Sequence, residues 1–226
     1  MKIGILQTGK PPAEMREEYG DYIDCFMALL AGQDFEFSGW SVVDGQFPDS
    51  VTDADGWLIT GSRHGVYEDH AWIPPLEDLI RDAITRRVPI VGVCFGHQII
   101  AQALGGKVEK FQGGWVVGRQ SYDFSGTTIA LHAWHQDQVI ELPPGATTIA
   151  SQDRCKHAAI IYGDRALTVQ PHPEYDAAFI EQLINLRGRG SVPEAQLDEA
   201  LQTLGQPTAN HSLAEQFADF FRKERA

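Results

Sequence analysis

No run of residues in this 226-residue chain approaches the roughly 18 consecutive apolar residues that a membrane-spanning helix needs, so no transmembrane segment is expected. The first residues, Met1-Lys2-Ile3-Gly4-Ile5-Leu6, enter a strand-like run directly. They lack the basic region, long apolar segment and small-residue cleavage site of a secretory signal, and a cytoplasmic protein is the expectation. Cysteine is scarce: Cys25, Cys94 and Cys155 are odd in number and widely spaced. No CxxC occurs, which removes support for a zinc ribbon or a dithiol redox pair, and a domain of this size does not call for a disulfide framework. Positive charge is also short, with 18 Lys and Arg against 31 Asp and Glu and a formal net charge of −13. Such a surface repels phosphate backbones and anionic lipid, so neither nucleic acid nor a membrane is an expected partner. The chain has no G-x-x-x-x-G-K-[ST] phosphate loop and no Ser-Gly-Gly-x-Asp-Ser type loop of the ATP pyrophosphatases. No cofactor is expected. The eight histidines show no metal-ligand spacing, since His132 and His135 would point to opposite faces of a strand, and no metal site is expected.

What is present alternates in type. Residues 2–8 read as a strand and residues 12–31 as a helix with Tyr22, Phe26, Leu29 and Leu30 on one stripe. A strand-like stretch covers 35–43, a turn follows at Asp53-Ala54-Asp55-Gly56, and Trp57-Leu58-Ile59-Thr60 is a short buried strand before Gly61-Ser62. Pro74-Pro75 fits a helix start, continued by Leu76, Leu79, Ile80, Ala83 and Ile84. The near-continuous apolar run 88–93 suits a central parallel strand covered on both faces, and 95–104 reads as a helix stopped by Gly105-Gly106. This alternation implies a parallel sheet with helices on both sides.

After residue 106 short strand patterns crowd together at 107–111, 118–124, 127–133, 146–151, 156–162 and 166–170; they read as antiparallel additions. Helices return at 176–187, 193–204 and 212–224, the last with Ser212-Leu213-Ala214-Glu215 as a capping box. The fold expected is a three-layer α/β sandwich with a mostly parallel central sheet, added antiparallel strands and helices on both faces. Residues 1–190 form its main domain and 191–226 a helical extension packed on it. The stripe Leu213, Phe217, Phe220 and Phe221 reads as core packing, with a homodimer face as the alternative.

Gly92-Val93-Cys94-Phe95-Gly96 sits between a strand pattern and a helix pattern. Glycines two before and two after a turn residue relieve crowding at a strand-turn-helix elbow, whose side chain points out at the strand's C-terminal edge. Open α/β sheets place their sites at that edge. The free N–H groups of the following helix favour negative charge, both a thiolate and a developing oxyanion. A nucleophile needs a base, and a base needs an orienting group. Downstream, an apolar strand ends in Gln170-Pro171-His172-Pro173-Glu174. Proline favours extended chain there, and residues two apart project to the same side, so Glu174 can hold one nitrogen of His172 and leave the other for Cys94. A buried inert thiol, a surface histidine and a helix-start acid are the bland readings of the three taken singly; together they are far more specific. Cys25 and Cys155 read as structural.

At these residues the chain resembles the class I, triad-type glutamine amidotransferases. "GVCFGHQ" looks like their nucleophile motif and "QPHPE" like their histidine-glutamate motif. "LITGSRHGVYED" (58–69), "ALGGKVEK" (103–110) and "WHQDQV" (134–139) resemble further family segments, in order, up to about residue 185. The likeness is to stand-alone members similar to the amidotransferase half of GMP synthase, and it implies a flavodoxin-like fold. It also implies a mechanism: Cys94 attacks the γ-carboxamide of glutamine, His172 moves the proton, Glu174 orients His172, and the N–H groups of Phe95 and of Gly61 or its neighbour hold the oxyanion. Gln98 matches a position that contacts substrate, and His135 and Asp137 match a segment near it, with a turn-forming role as the alternative. Many family members have Phe where this chain has Pro171.

The implied activity is hydrolysis of a γ-glutamyl amide through a cysteine thioester, releasing ammonia, with glutamine as substrate and a separate synthetase subunit as possible partner. A self-contained peptidase acting on γ-glutamyl peptides and a non-catalytic binding protein on the same fold are the alternatives. The loop 63–75, with Tyr67, His70 and Trp72, is expected to border the pocket.

Overall fold

The computed structural model describes residues 1–225. In chain order its elements are β1 (Lys2–Gln7), a 3-10 turn into α1 (Arg16–Tyr19), α2 (Tyr22–Leu29), β2 (Glu36–Ser41), β3 (Gly56–Ile59), α3 (Ile73–Arg86), β4 (Ile90–Val93), α4 (Phe95–Ala103), β5 (Lys107–Lys110), β6 (Val116–Phe124), β7 (Thr127–His135), β8 (Asp137–Glu141), β9 (Thr147–Gln152), β10 (Cys155–Tyr162), β11 (Ala166–Val169), α5 (Ala177–Leu183), α6 (Glu194–Thr203) and α7 (Asn210–Arg222). A nine-stranded sheet has the order β2-β1-β3-β4-β11-β10-β9-β6-β7. Its neighbours are parallel from β2 to β11 and antiparallel from β11 to β7. β5 and β8 form a separate antiparallel ribbon. The expected α/β architecture is therefore present, and the carboxyl ends of β1, β3, β4 and β11 share one edge of the sheet.

The central strands explain their own composition. Every residue of β3 (GWLI), β4 (IVGV) and β11 (ALTV) is buried, as parallel strands covered on both faces require. On one face Leu76, Ile80 and Ile99 from α3 and α4 pack on the sheet. On the other lie Phe26 of α2 and Phe217 and Phe221 of α7. Each such side chain contributes roughly 1.5–3 kcal/mol by leaving water. The α7 stripe of Leu213, Phe217, Phe220 and Phe221 is at most 8% exposed, so it belongs to this chain's own core and offers no face to a second copy.

Four local expectations change. The helix over 12–31 is broken at Gly20, whose φ of +71° leaves the helical region; α2 then restarts on a capping box between Asp21 and Asp24. The last helix starts at Asn210, so Ser212 lies inside its first turn and the Ser212–Glu215 box does not form. Tertiary contacts hold that start instead, with the Ala209 N–H on the Ala130 carbonyl at 2.8 Å and Asn210 Nδ2 on the Tyr175 carbonyl at 2.8 Å. β8 was not expected, because its pairing partner is β5 and not the main sheet. The helix expected over 176–187 relaxes after α5 into one wide turn, Ile184–Gly188.

Candidate active site

Cys94 occupies the single residue between β4 and α4, at φ 51° and ψ −102°. A non-glycine residue there carries about 1–3 kcal/mol of strain. Its N–H donates to the Val169 carbonyl at 2.9 Å, its carbonyl accepts from Gln98 N–H at 3.0 Å, and Gly96 N–H donates to the Thr60 carbonyl at 3.1 Å. The two glycines are required by close approach. A Cβ on Gly92 would lie 2.6 Å from the Gly96 backbone, and one on Gly96 would lie 2.2 Å from the Ile59 carbonyl oxygen.

His172 and Glu174 follow β11, the strand next to β4. His172 Nδ1 and Glu174 Oε1 are 2.7 Å apart, with side chains 3% and 0% exposed. The His172 N–H donates to the His132 carbonyl at 2.8 Å. Its ring stacks on Tyr175 at 4.1 Å, Tyr175 stacks on Phe179 at 4.1 Å, and the Tyr175 hydroxyl donates to the Tyr22 hydroxyl at 3.2 Å. Burial by itself would push the imidazole pKa down. The charge of Glu174, with the charge and hydrogen bond of the Cys94 sulfur, overcomes it and lifts the value from 6.5 to about 10. Burial pushes the Cys25 and Cys155 thiols up to about 12, which suits inert core residues.

Gly61 closes the third side. A Cβ there would meet His172 Cε1 at 3.0 Å and the Cys94 Cβ at 3.7 Å. Its carbonyl accepts from the Thr8 and Thr60 hydroxyls at 3.2 and 3.1 Å, which turns the peptide and fixes the loop. Thr8 N–H donates to Thr60 Oγ1 at 3.0 Å, and Thr8 Oγ1 donates to the Thr60 carbonyl at 2.9 Å. Sequence reading missed these two threonines, and also the Tyr175 stack. The available signal was a Thr-Gly pair directly after each of two buried strands.

A cavity of about 660 Å³ opens over Cys94 and His172. Gln98 and His135 both line it. Gln98 Nε2 donates to the Asp137 carbonyl at 2.8 Å and to Gln170 Oε1 at 3.1 Å. His135 is 4% exposed, and neither ring nitrogen has a hydrogen-bond partner among the described residues. Asp137 also reaches the cavity, where its Oδ2 accepts from the Tyr67 hydroxyl at 3.0 Å. Of the loop residues expected at the border, Tyr67 lines the cavity. Trp72 instead is core, packed 5.4 Å from Phe95, and His70 stacks on it. The wall carries Lys10, Arg16, Arg63, Lys110 and Arg187 against Asp44, Glu68 and Asp137, a local reversal of the chain's overall sign.

Several histidines near the site are held neutral. Burial pushes His97 and His135 to about 3 and His132 to about 4. Because these values lie below the unfolded 6.5, the unfolded chain takes up protons that the folded protein refuses. Stability is full above pH 6.5 and falls as the pH drops from 6.5 toward 3, by on the order of 1 kcal/mol per pH unit for each buried histidine. His172 acts in the opposite sense, contributing fully below 6.5 and losing its contribution as the pH rises through about 10. Urea unfolding should therefore have a clearly lower midpoint at about pH 5 than at about pH 7.5; equal midpoints would contradict neutral burial of these rings.

The strand order and the cysteine at the strand-to-helix turn define an open-sheet α/β protein with its cleft at the carboxyl edge of the parallel strands. More particularly, the chain belongs to the class-I glutamine amidotransferase family, whose model matches residues 40–180. It is 29% identical to a glutamine amidotransferase-like protein of Schizosaccharomyces pombe, with 96% of this chain and 97% of that protein covered. It is 30% identical to gamma-glutamyl peptidase 4 of Arabidopsis thaliana, with 80% of this chain and 79% of that protein covered. A crystal structure of a glutamine amidotransferase from Thermotoga maritima shares the fold, with a TM-score of 0.78, 18% identity and 99% of each chain covered.

Proposed function

We propose that this protein is a self-contained γ-glutamyl hydrolase that cleaves γ-glutamyl peptides at Cys94. The observation that carries the reading is the cavity itself. About 660 Å³ opens over the cysteine, within the range of pockets that enclose whole small ligands, and its wall bears five cationic side chains against three acidic ones, with Lys10 already paired to Asp44. Ammonia, the leaving group from glutamine, needs neither the room nor the charge. A γ-glutamyl amino acid has a second carboxylate beyond the scissile bond and uses both. The Arabidopsis relative's name, gamma-glutamyl peptidase 4, supports the same substrate class.

In this mechanism the Cys94 thiolate, facing the His172 imidazolium, attacks the γ-carbonyl carbon. The carbonyl oxygen takes the negative charge and is held by the N–H groups of Phe95 and Gly61, each worth about 3 kcal/mol in the transition state. The C–N bond breaks as His172 gives its proton to the departing nitrogen, a step worth roughly 10²–10⁴-fold in rate. Neutral His172 then takes a proton from water, whose oxygen attacks the thioester carbon, and glutamate leaves with the thiolate restored. Glu174 orients the imidazole and stabilises its cation throughout. Gln98 and His135 contact the glutamyl moiety; the Gln98 amide nitrogen is already engaged, which leaves its oxygen to accept from the α-ammonium group.

The test is glutamate release by the purified chain from γ-glutamyl dipeptides, glutathione and glutamine. Peptides should turn over at least about tenfold faster than glutamine, in line with the contacts a larger leaving group gains. Turnover of glutamine without the peptides would return the protein to ammonia delivery with a synthetase partner. Silence on all substrates, with no labelling of Cys94 by a glutamine-like electrophile, would leave a binding protein.

A further inference from the structure

We propose that His64, Glu68 and His70 form a binding site for one zinc-like divalent transition-metal ion on the wall of the pocket. Linear spacing hid this group, because the residues lie in an irregular loop where neither strand nor helix period applies. The fold brings His64 Nδ1, Glu68 Oε2 and His70 Nε2 all within 4.8 Å of one another. Two of the separations are already short: 3.3 Å from His64 Nδ1 to Glu68 Oε2 and 2.7 Å from His70 Nε2 to Glu68 Oε2. Ligand atoms about 2.0–2.2 Å from a tetrahedral zinc lie roughly 3.3 Å from each other, so small side-chain rotations suffice to close the site around an ion.

The loop is held in place. His64 N–H donates to Ser62 Oγ at 3.1 Å, and that hydroxyl donates to the Thr8 carbonyl at 2.7 Å. Glu68 N–H donates to the Gly65 carbonyl at 3.1 Å, and His70 N–H to the Glu68 carbonyl at 3.0 Å. The His70 ring stacks on the buried Trp72 at 5.6 Å and 10°, and the two imidazoles meet edge to face at 4.3 Å.

Two imidazoles and one carboxylate favour zinc and its neighbours over magnesium or calcium, which take all-oxygen shells. Three protein ligands leave a fourth position free. His64 and Glu68 both line the cavity, so that position opens toward the pocket. There the ion would add to the cationic wall and accept an anionic oxygen. The site does not depend on which amide is cleaved at Cys94.

The experiment is a calorimetric titration of Cys94→Ser protein with zinc, the serine removing a competing thiolate, paired with a cobalt(II) titration read by its visible absorption. One ion per chain is expected, with a tetrahedral cobalt spectrum. His64→Ala and His70→Ala, both on a surface loop and checked for folding by circular dichroism, should each weaken binding at least about tenfold. Absence of saturable binding would overturn the proposal. So would binding that both substitutions leave unchanged, since the ion would then lie elsewhere, for instance at His172.

Discussion

Cys94→Ser is expected to abolish glutamate release, with turnover falling on the order of 10⁴–10⁶-fold, because members of a nucleophile-base unit fail together. The side chain is 5% exposed and almost isosteric, so the melting temperature should stay close to that of the parent. Loss of activity without loss of fold separates chemistry from packing. Glu174→Gln provides the companion result. Its amide keeps the shape that faces His172 Nδ1 across 2.7 Å, but it removes the charge that counters burial of the imidazole. Activity should fall by roughly 10²–10⁴-fold, the range of acid–base assistance, and the alkaline limit of the pH–rate profile should move down. Residual Cys94→Ser activity within tenfold of the parent, on substrates the parent turns over, would remove the cysteine from the mechanism.

Gly96→Ala should give the largest change in stability. The added methyl would lie 2.2 Å from the Ile59 carbonyl oxygen, and Ile59 is in a fully buried central strand that pairs on both sides. Neither partner can yield without disturbing the sheet. A cost of about 3 kcal/mol or more is expected from overpacking of this kind, or a fall of roughly 6–12 °C in a chain of this length. Gly205→Ala supplies the control, since a Cβ there meets nothing within 4 Å; it should be neutral or slightly stabilising. A Gly96→Ala protein that melts with the parent would mean that the elbow has slack the distances deny.

Much of this arrangement was legible in the chain before folding. The run VPIVGV announces a central strand because burial on both faces leaves no room for polar alternation, whereas ALTV, read with the antiparallel additions, lies parallel to β4 inside the sheet. The glycine spacing around Cys94 marks the elbow because steric crowding there is local. His172 and Glu174 share a side because extended chain has a period of two. What escaped depends on contacts far apart in sequence. Thr8 and Thr60, which set the Gly61 peptide, are 52 residues apart. The start of α7 is held by Ala130 and Tyr175 and not by its own Ser212. Gly20 interrupts the helix read over 12–31, because the stripe Tyr22, Phe26, Leu29 and Leu30 lies wholly after the glycine and reports which side is buried there, not whether the backbone before it stays helical. The His64, Glu68 and His70 group has no period at all, only a loop that doubles back.

The register of β4 against β11 has one more consequence. Gly92 faces Thr168 and Val93 faces Val169, and the next step along each strand carries Cys94 and the approach to His172. Their spacing is thus set by the pitch of adjacent strands, about 4.8 Å, acting as a ruler built into the sheet. The span from residue 104 to residue 165 lies between them in the chain and enters that measurement only through β10, which pairs with β11, and through the His132 carbonyl, which accepts from the His172 N–H. It includes β5 to β10, with Trp115, Trp134, His135 and Asp137 of the pocket wall. Segments there away from β10 and His132 can lengthen, shorten or change composition while cysteine and histidine keep their distance. On the proposed function, the wall and the Cys94–His172 pair are separable traits, and one unchanged pair would serve many differently shaped leaving groups.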